Sequence, residues 1–204
     1  TLKLGHGLPT GHPMHKGAEL FKEIVEEKTD GEVEVKLYPS LQLGSVREMF
    51  EGIMMGSLDM GILTTDTPSF LDLPIWRILE SGYIYQNEEH AQKFFHSDLF
   101  QNLADELEEK HGVTVVDGAW YYGTRNLTTS STPVKTPEDL EGLKIRVPEA
   151  PGYLNTLKGM GANVTPVAFS ELYTALKTNV VDGQENPFAT IYEYKEKIKK
   201  KKFI

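Results

Sequence analysis

Apolar and polar positions along this chain switch repeatedly between a period of two and a period near 3.6. LKLGHG (2–7) alternates apolar with small or polar residues as a short strand does. After Pro13 the segment HKGAELFKEIVEEKT places Ala18, Phe21, Ile24 and Val25 on one helical face. EVEVKLYP (32–39) alternates again, with Val33, Val35 and Leu37 on one side and Pro39 closing the run. Ser45 and Glu48 form a capping box for the next helix, and LDMGIL (58–63) reads as a buried strand. Beyond a less regular stretch (64–88), the spacing predicts one long acidic helix that Gly112 stops, and then a strand at 113–120.

Residues 123–142 are rich in Gly, Asn, Ser, Thr and Pro and resemble a linker, with PEDLEG (137–142) a short acidic turn. The pattern then restarts. It runs through LKIRVP as a strand, a helix at about 150–160, a short strand ANVTPV, a capped helix at 170–178, the strand VVDGQ and a terminal helix after Pro187. Strands alternating with helices predict parallel sheets covered on both faces, and the break near 123 predicts two lobes, 1–123 and 124–204. A shift of 123 positions sets EMFEGIMMGSLDMG (48–61) on ELYTALKTNVVDGQ (171–184), matching Asp59 with Asp182. Two similar lobes leave a crevice, where ligands of α/β proteins commonly sit.

Composition narrows the chemistry. Of the 204 residues none is Cys, which excludes disulfides, thiol catalysis and thiolate metal sites while leaving the compartment open. No window approaches a membrane span and no signal segment opens the chain, so a soluble, mature or trimmed form is expected. The net charge of −9 argues against nucleic acid and anionic membrane as partners. Six Lys fall in KEKIKKKK (195–202), read as a solvated helix face; the rest of the chain carries 15 basic and 29 acidic residues.

Several motifs fall short of a chemistry. GHGLPTG (5–11) lacks the spacing and the Lys of a phosphate loop. His6, His12 and His15 lie close enough to chelate a metal, but no third ligand is fixed by spacing, and capping, packing or ligand contact accounts for them better. The carboxylates of helix 98–109 share a solvated surface, unlike an opposed acid/base pair. No nucleophile elbow, HExxH pair or Ser/His/Asp arrangement appears, so no enzyme, metal or cofactor is expected.

Cations remain. Arg125 stands where the first half passes into the second, and Arg146 faces away from the apolar side of LKIRVP. Each guanidinium is a planar fork that pairs a carboxylate, either of an acid ligand or of an intramolecular salt bridge. Asn186, in QENP, is read at a helix start, as a cap or as an amide aimed at an anion; Phe169 covers an apolar ligand face or staples a helix.

YYGTRNLTTS (121–130), LKIRVPEAP (143–151) and PVAFSELYTALKTNVVDGQENPF (166–188) together resemble the DctP-type solute receptors of tripartite ATP-independent periplasmic (TRAP) transporters. The likeness begins at LKLGHG and runs through KLYPSLQLGSVREM and GSLDMG. It implies a bilobal periplasmic-binding-protein-like α/β fold with two mixed, mostly parallel sheets and a ligand cleft between the lobes. It also implies a monomeric periplasmic receptor that hands an organic acid to membrane permease subunits, and a chain that continues past KKKKFI, with Phe203 and Ile204 opening a crossing strand. By this resemblance Arg146 forms the main salt bridge to the ligand carboxylate, Arg125 and Asn186 assist, and Phe169 lines the pocket. Gly7, Val46 and Thr64 stand near the positions where sialic acid receptors carry acidic and amide contacts, which these residues cannot supply. LESGYIY (79–85) departs from the family's L-P-aromatic wall. His6, His12, Thr64, Thr65, Asp66, Trp120 and Tyr122 offer groups suited to a polyhydroxy acid. A sugar acid or hydroxy acid is favoured over a small dicarboxylate, with a sensory domain of the same fold as the other alternative.

Overall fold

The computed structural model describes residues 1–195; the Lys run from 197 onward, Phe203 and Ile204 lie outside the described residues. The strands form two separate sheets. β1 (Leu2–His6) lies between β2 (Val35–Tyr38) and β3 (Met60–Ile62), both parallel to it. The second sheet has the order β4 (Arg125–Thr129), β7 (Gly183–Pro187), β5 (Lys144–Val147), β6 (Asn163–Pro166). It is parallel except for β4, which runs antiparallel on β7.

On one face of the first sheet, α1 (Pro13–Lys28) packs Ala18, Phe21 and Val25 against Leu4 and Val35, while Ile24 stays 40% exposed at the rim. The larger core joins α2 (Val46–Met54), α3 (Glu88–Phe95) and α4 (Asp98–His111) through Phe50, Leu73, Trp76, Phe100, Leu103 and Leu107. α2 opens on the Ser45–Glu48 capping box. In the second sheet, α5 (Pro151–Gly159) covers Ile145 and Val164 with Leu157, and α6 (Leu172–Lys177) forms a smaller cluster with Val181. α7 (Phe188–Lys195) follows β7 directly. Among the described residues, no helix is long and apolar enough to cross a membrane.

The two halves repeat a local device. The Ser57 and Leu58 amides converge on Gly52 O, and the Val180 and Val181 amides converge on Ala175 O, 123 positions later. Gly56 (φ 72°) and Asn179 (φ 59°) make the left-handed turn in each. Asp59 Oδ2 then accepts the Lys3 N–H at 2.8 Å, and Asp182 Oδ2 the Lys144 N–H at 2.9 Å. In both halves this Asp pins the start of the neighbouring strand.

Four expectations change. The long helix breaks at His96, because the Ser97 hydroxyl accepts the Phe100 N–H and starts α4 anew. Residues 113–120 form no strand: Val113 joins the core, Val116 is exposed, and an Asx turn from Asp117 to Ala119 bends the backbone. The linker-like run contains β4, whose ladder with β7 overrides its polar composition. Ser170 caps nothing; a 3-10 turn over Phe169–Glu171 leads into α6.

Candidate functional site

Side chains alternate along strands, so the ladder of the second sheet sorts its polar residues by face. Ile145 and Val147 point to the α5 side and are fully buried. Arg146 points the other way, in a row with Thr128, Gln184 and Thr165. Only 1% of Arg146 is exposed, and its one hydrogen bond among the described residues runs from Nε to Val167 O at 2.8 Å. Among the described residues no carboxylate forms an ion pair with it. Burial, with the nearby Arg125 charge, pushes its pKa down to about 10, while Glu185, Asp66 and Tyr122 pull the other way.

Arg125 is committed. Its Nη2 donates to Glu185 Oε1 at 2.8 Å and to Glu185 O at 2.9 Å, its Nε donates to Glu185 Oε2, and its guanidinium lies 4.6 Å over the Tyr153 ring. Burial works against this charge, but Tyr153 and Glu185 more than offset it and hold the pKa above the ordinary value. Register places the pair on the α5 face, at the sheet edge where β5 and β7 end. Of the two forks singled out in the sequence, Arg125 therefore takes the intramolecular salt bridge, and Arg146 pairs with no carboxylate among the described residues.

Asn186 is a strand residue, not a helix start: it lies in β7, and its Nδ2 donates to Gln184 Oε1 at 2.6 Å. Gln184 Nε2 continues to Thr128 Oγ1 at 2.6 Å. On its other side Asn186 Oδ1 accepts from Tyr122 OH at 3.5 Å, and Tyr122 accepts from Thr190 Oγ1 at 2.9 Å. His12 Nε2 meets Thr190 at 3.3 Å, while its Nδ1 accepts the Met14 N–H and caps α1. That cap leaves the neutral ring's proton on Nε2, so His12 is a donor at the head of a chain reaching Arg146's face.

From the first half comes Asp66, whose Oδ1 is buried with no hydrogen-bond partner among the described residues and whose charge is felt by Arg146, Tyr122 and Tyr153. Thr64 and Thr65, half-buried, precede it. Phe169 packs on the α6 cluster, and a side chain at Gly7 would meet both it and Leu41. His6 and Trp120 have close neighbours of their own. His6 is fully buried, accepts the Leu8 N–H at Nδ1 and meets His15 Nδ1 at 3.0 Å; burial and the other two imidazoles hold its pKa down at about 4. Trp120 lies against Gly17 of α1. The open groove between α1 and β2, lined by His15, Glu19, Lys22 and Tyr38, contains none of the groups around Arg146.

Glu185, Gln184, Tyr153 and Thr190 escaped sequence reasoning. Glu185 stood beside Asn186 in the quoted QENP, but only the antiparallel register of β4 on β7 brings Arg125 to it.

Comparison with known proteins gives the same answer in sequence and in structure. The chain is 40% identical over 191 residues to the sialic acid-binding periplasmic protein SiaP of Vibrio cholerae, covering 94% of the chain and 59% of that protein. It is 33% identical to the 2,3-diketo-L-gulonate-binding periplasmic protein YiaO of Escherichia coli, covering 96% of the chain and 58% of that protein. Among solved structures, it superposes with a TM-score of 0.90 on the sugar acid binding protein DctPAm of Advenella mimigardefordensis in complex with galactonate. Identity there is 31%, over 96% of the chain and 62% of that protein. The chain thus spans about three-fifths of the length of these three relatives. Residues 4–201 match the model of DctP, bacterial extracellular solute-binding protein family 7, a family of receptors rather than enzymes, and the chain belongs to that family.

Proposed function

We propose that the protein is an extracytoplasmic receptor for a sugar acid or hydroxy acid, built of two lobes (1–123 and 124–204) that close on the ligand. The observation that carries this is Arg146: a buried guanidinium without a carboxylate among the described residues. Such a charge is costly unless an anion completes it. The ligand carboxylate takes that place. Asn186, held between Tyr122 and Gln184, offers a further N–H, and Phe169 borders the cleft.

Arg125 is neutralised by Glu185, so among the described residues around Arg146 there is one uncommitted cation, which suits one carboxylate rather than two. Asp66, with an oxygen that has no partner among the described residues, and Thr64 and Thr65 are suited to ligand hydroxyls. The ligands named for the relatives, sialic acid, 2,3-diketo-L-gulonate and galactonate, support this class. The receptor acts as a periplasmic monomer and delivers its ligand to the permease subunits of a TRAP transporter.

A thermal-shift screen of aldonates, uronates and dicarboxylates, followed by calorimetry on the hits, tests the reading. Binding of a sugar acid by the native protein, weakened at least tenfold in Arg146→Ala, is the expected result. A preference for dicarboxylates, or an affinity indifferent to Arg146, refutes it.

A further inference from the structure

Glu80 follows the 3-10 turn Pro74–Arg77 in the first half and is 5% exposed. Its Oε1 accepts the Gly152 N–H at 2.8 Å. Gly152 lies in the first turn of α5, where the peptide N–H has no partner within the helix and a carboxylate is favoured. Two residues beyond Glu80, the Gly82 N–H donates to Thr156 Oγ1 at 2.9 Å, again from the first half to α5. The fit is close on both sides: a Cβ on Gly152 would overlap the Glu80 side chain, and one on Gly82 would overlap Thr156. The residue after Gly152 is Tyr153, whose ring lies beneath Arg125.

We propose that Glu80 is a positioning residue for the cleft: it clasps α5 from the opposite half, sets Tyr153 under the Arg125–Glu185 pair, and makes closure of the two halves depend on its own protonation. The proposal rests on the receptor reading above for its link to ligand binding. The clasp itself stands on contacts within the chain.

Among the described residues the second carboxyl oxygen, Glu80 Oε2, is buried without a hydrogen-bond partner, as is Asp66 Oδ1. The titratable and charged groups around Glu80 are Asp66 ahead of the Thr67–Phe70 turn, Arg77 on its own segment and Tyr153 on α5, with the Ser69 hydroxyl also in reach. A buried acceptor-only oxygen on Glu80 calls for a proton. Burial pushes the Glu80 pKa up to about 7 although the Gly152 amide pulls it down, and Asp66 adds to the rise. An exposed carboxyl titrates near 4.5, so closing takes up a proton between those values. The clasp is strongest at acid pH and weakens as pH rises through 7. Burial holds both His6 and His12 below their ordinary 6.5, so they also contribute to unfolding between about pH 6 and 7, and the comparison with Glu80→Gln at each pH removes that contribution.

Two measurements from pH 6 to pH 8.5 on the native protein and on Glu80→Gln test this: galactonate affinity by calorimetry, and the unfolding midpoint without ligand. Native affinity is expected to fall by about tenfold across the range. Gln keeps an acceptor for Gly152 and adds N–H donors where Oε2 is orphaned, so its affinity is expected to stay level. It should also unfold at a higher temperature than the native protein at pH 8.5, with the gap closing towards pH 6. Glu80→Ala, without the acceptor, binds more weakly at every pH. Parallel unfolding profiles for the native protein and Glu80→Gln overturn the clasp, whatever galactonate does. A Glu80-dependent unfolding profile with no sugar acid bound at any pH supports the clasp and refutes the ligand class.

Discussion

Replacing Arg146 with Met separates what this residue costs the fold from what it contributes to binding. Its pKa stands at about 10 against an ordinary 12.5, and burial is the main cause. At about 1.36 kcal/mol per pH unit, the charged form costs about 3 kcal/mol in the ligand-free protein. Because the folded value is the lower one, that cost is present at every pH below 10 and is relieved only above it. Met fills much of the same volume without a charge. The substitution forfeits the Nε bond to Val167 O, about 1 kcal/mol, so a net gain of roughly 1–2 kcal/mol remains. For a chain of this size that is an increase of about 2–8 °C in the unfolding midpoint. Binding moves oppositely: losing a charge-assisted bond of about 1.5–3 kcal/mol weakens a carboxylate ligand by roughly 10- to 150-fold. Paired calorimetric and thermal-unfolding measurements on the native protein and Arg146→Met read both effects. An Arg146→Met protein destabilised by more than about 2 kcal/mol would mean that the guanidinium is structurally satisfied, and unchanged affinity would mean that no ligand carboxylate meets it.

Arg125 responds in the opposite sense. Arg125→Met strands the buried Glu185 carboxylate and is expected to destabilise the protein by about 3–5 kcal/mol in urea unfolding, with Arg125→Met/Glu185→Leu recovering most of the loss. Thr190→Val cuts the chain between His12 and Tyr122 while keeping its shape. It is expected to weaken sugar-acid binding several-fold, with Thr190→Ser restoring it, because the orientation of the Asn186 amide depends on Tyr122. Asp182→Ala leaves the Lys144 N–H without its acceptor at the start of β5, and a loss of about 1–2 kcal/mol in denaturant unfolding is expected.

Local chemistry made much of this protein legible in one dimension. The capping box at Ser45, the turn at Gly112 and the alternation through LKIRVP depend on neighbours a few residues away, and each appears as read. Arg146's separation from the apolar side of its strand was equally legible, since a period of two fixes which face a residue takes. The element types of residues 113–120 and 123–129 were not. Whether such a segment becomes a strand depends on whether a partner edge is available, and β7 offers one to β4.

The site divides along the same line. Residue type marked Arg125 and Arg146 as equals, and only strand pairing, with 60 positions between Arg125 and Glu185, decided that one is neutralised and the other is not. His6 and Trp120 carry suitable groups, but packing turned one to His15 and laid the other on α1. Sequence by itself determined the family and most of its helices and strands, because these follow from residue identity and short-range period. Tertiary structure alone decided which charges are paired, which amide is held in place and which carboxyl bridges the halves. Those outcomes depend on distances and desolvation between residues far apart in the chain, which no local pattern encodes.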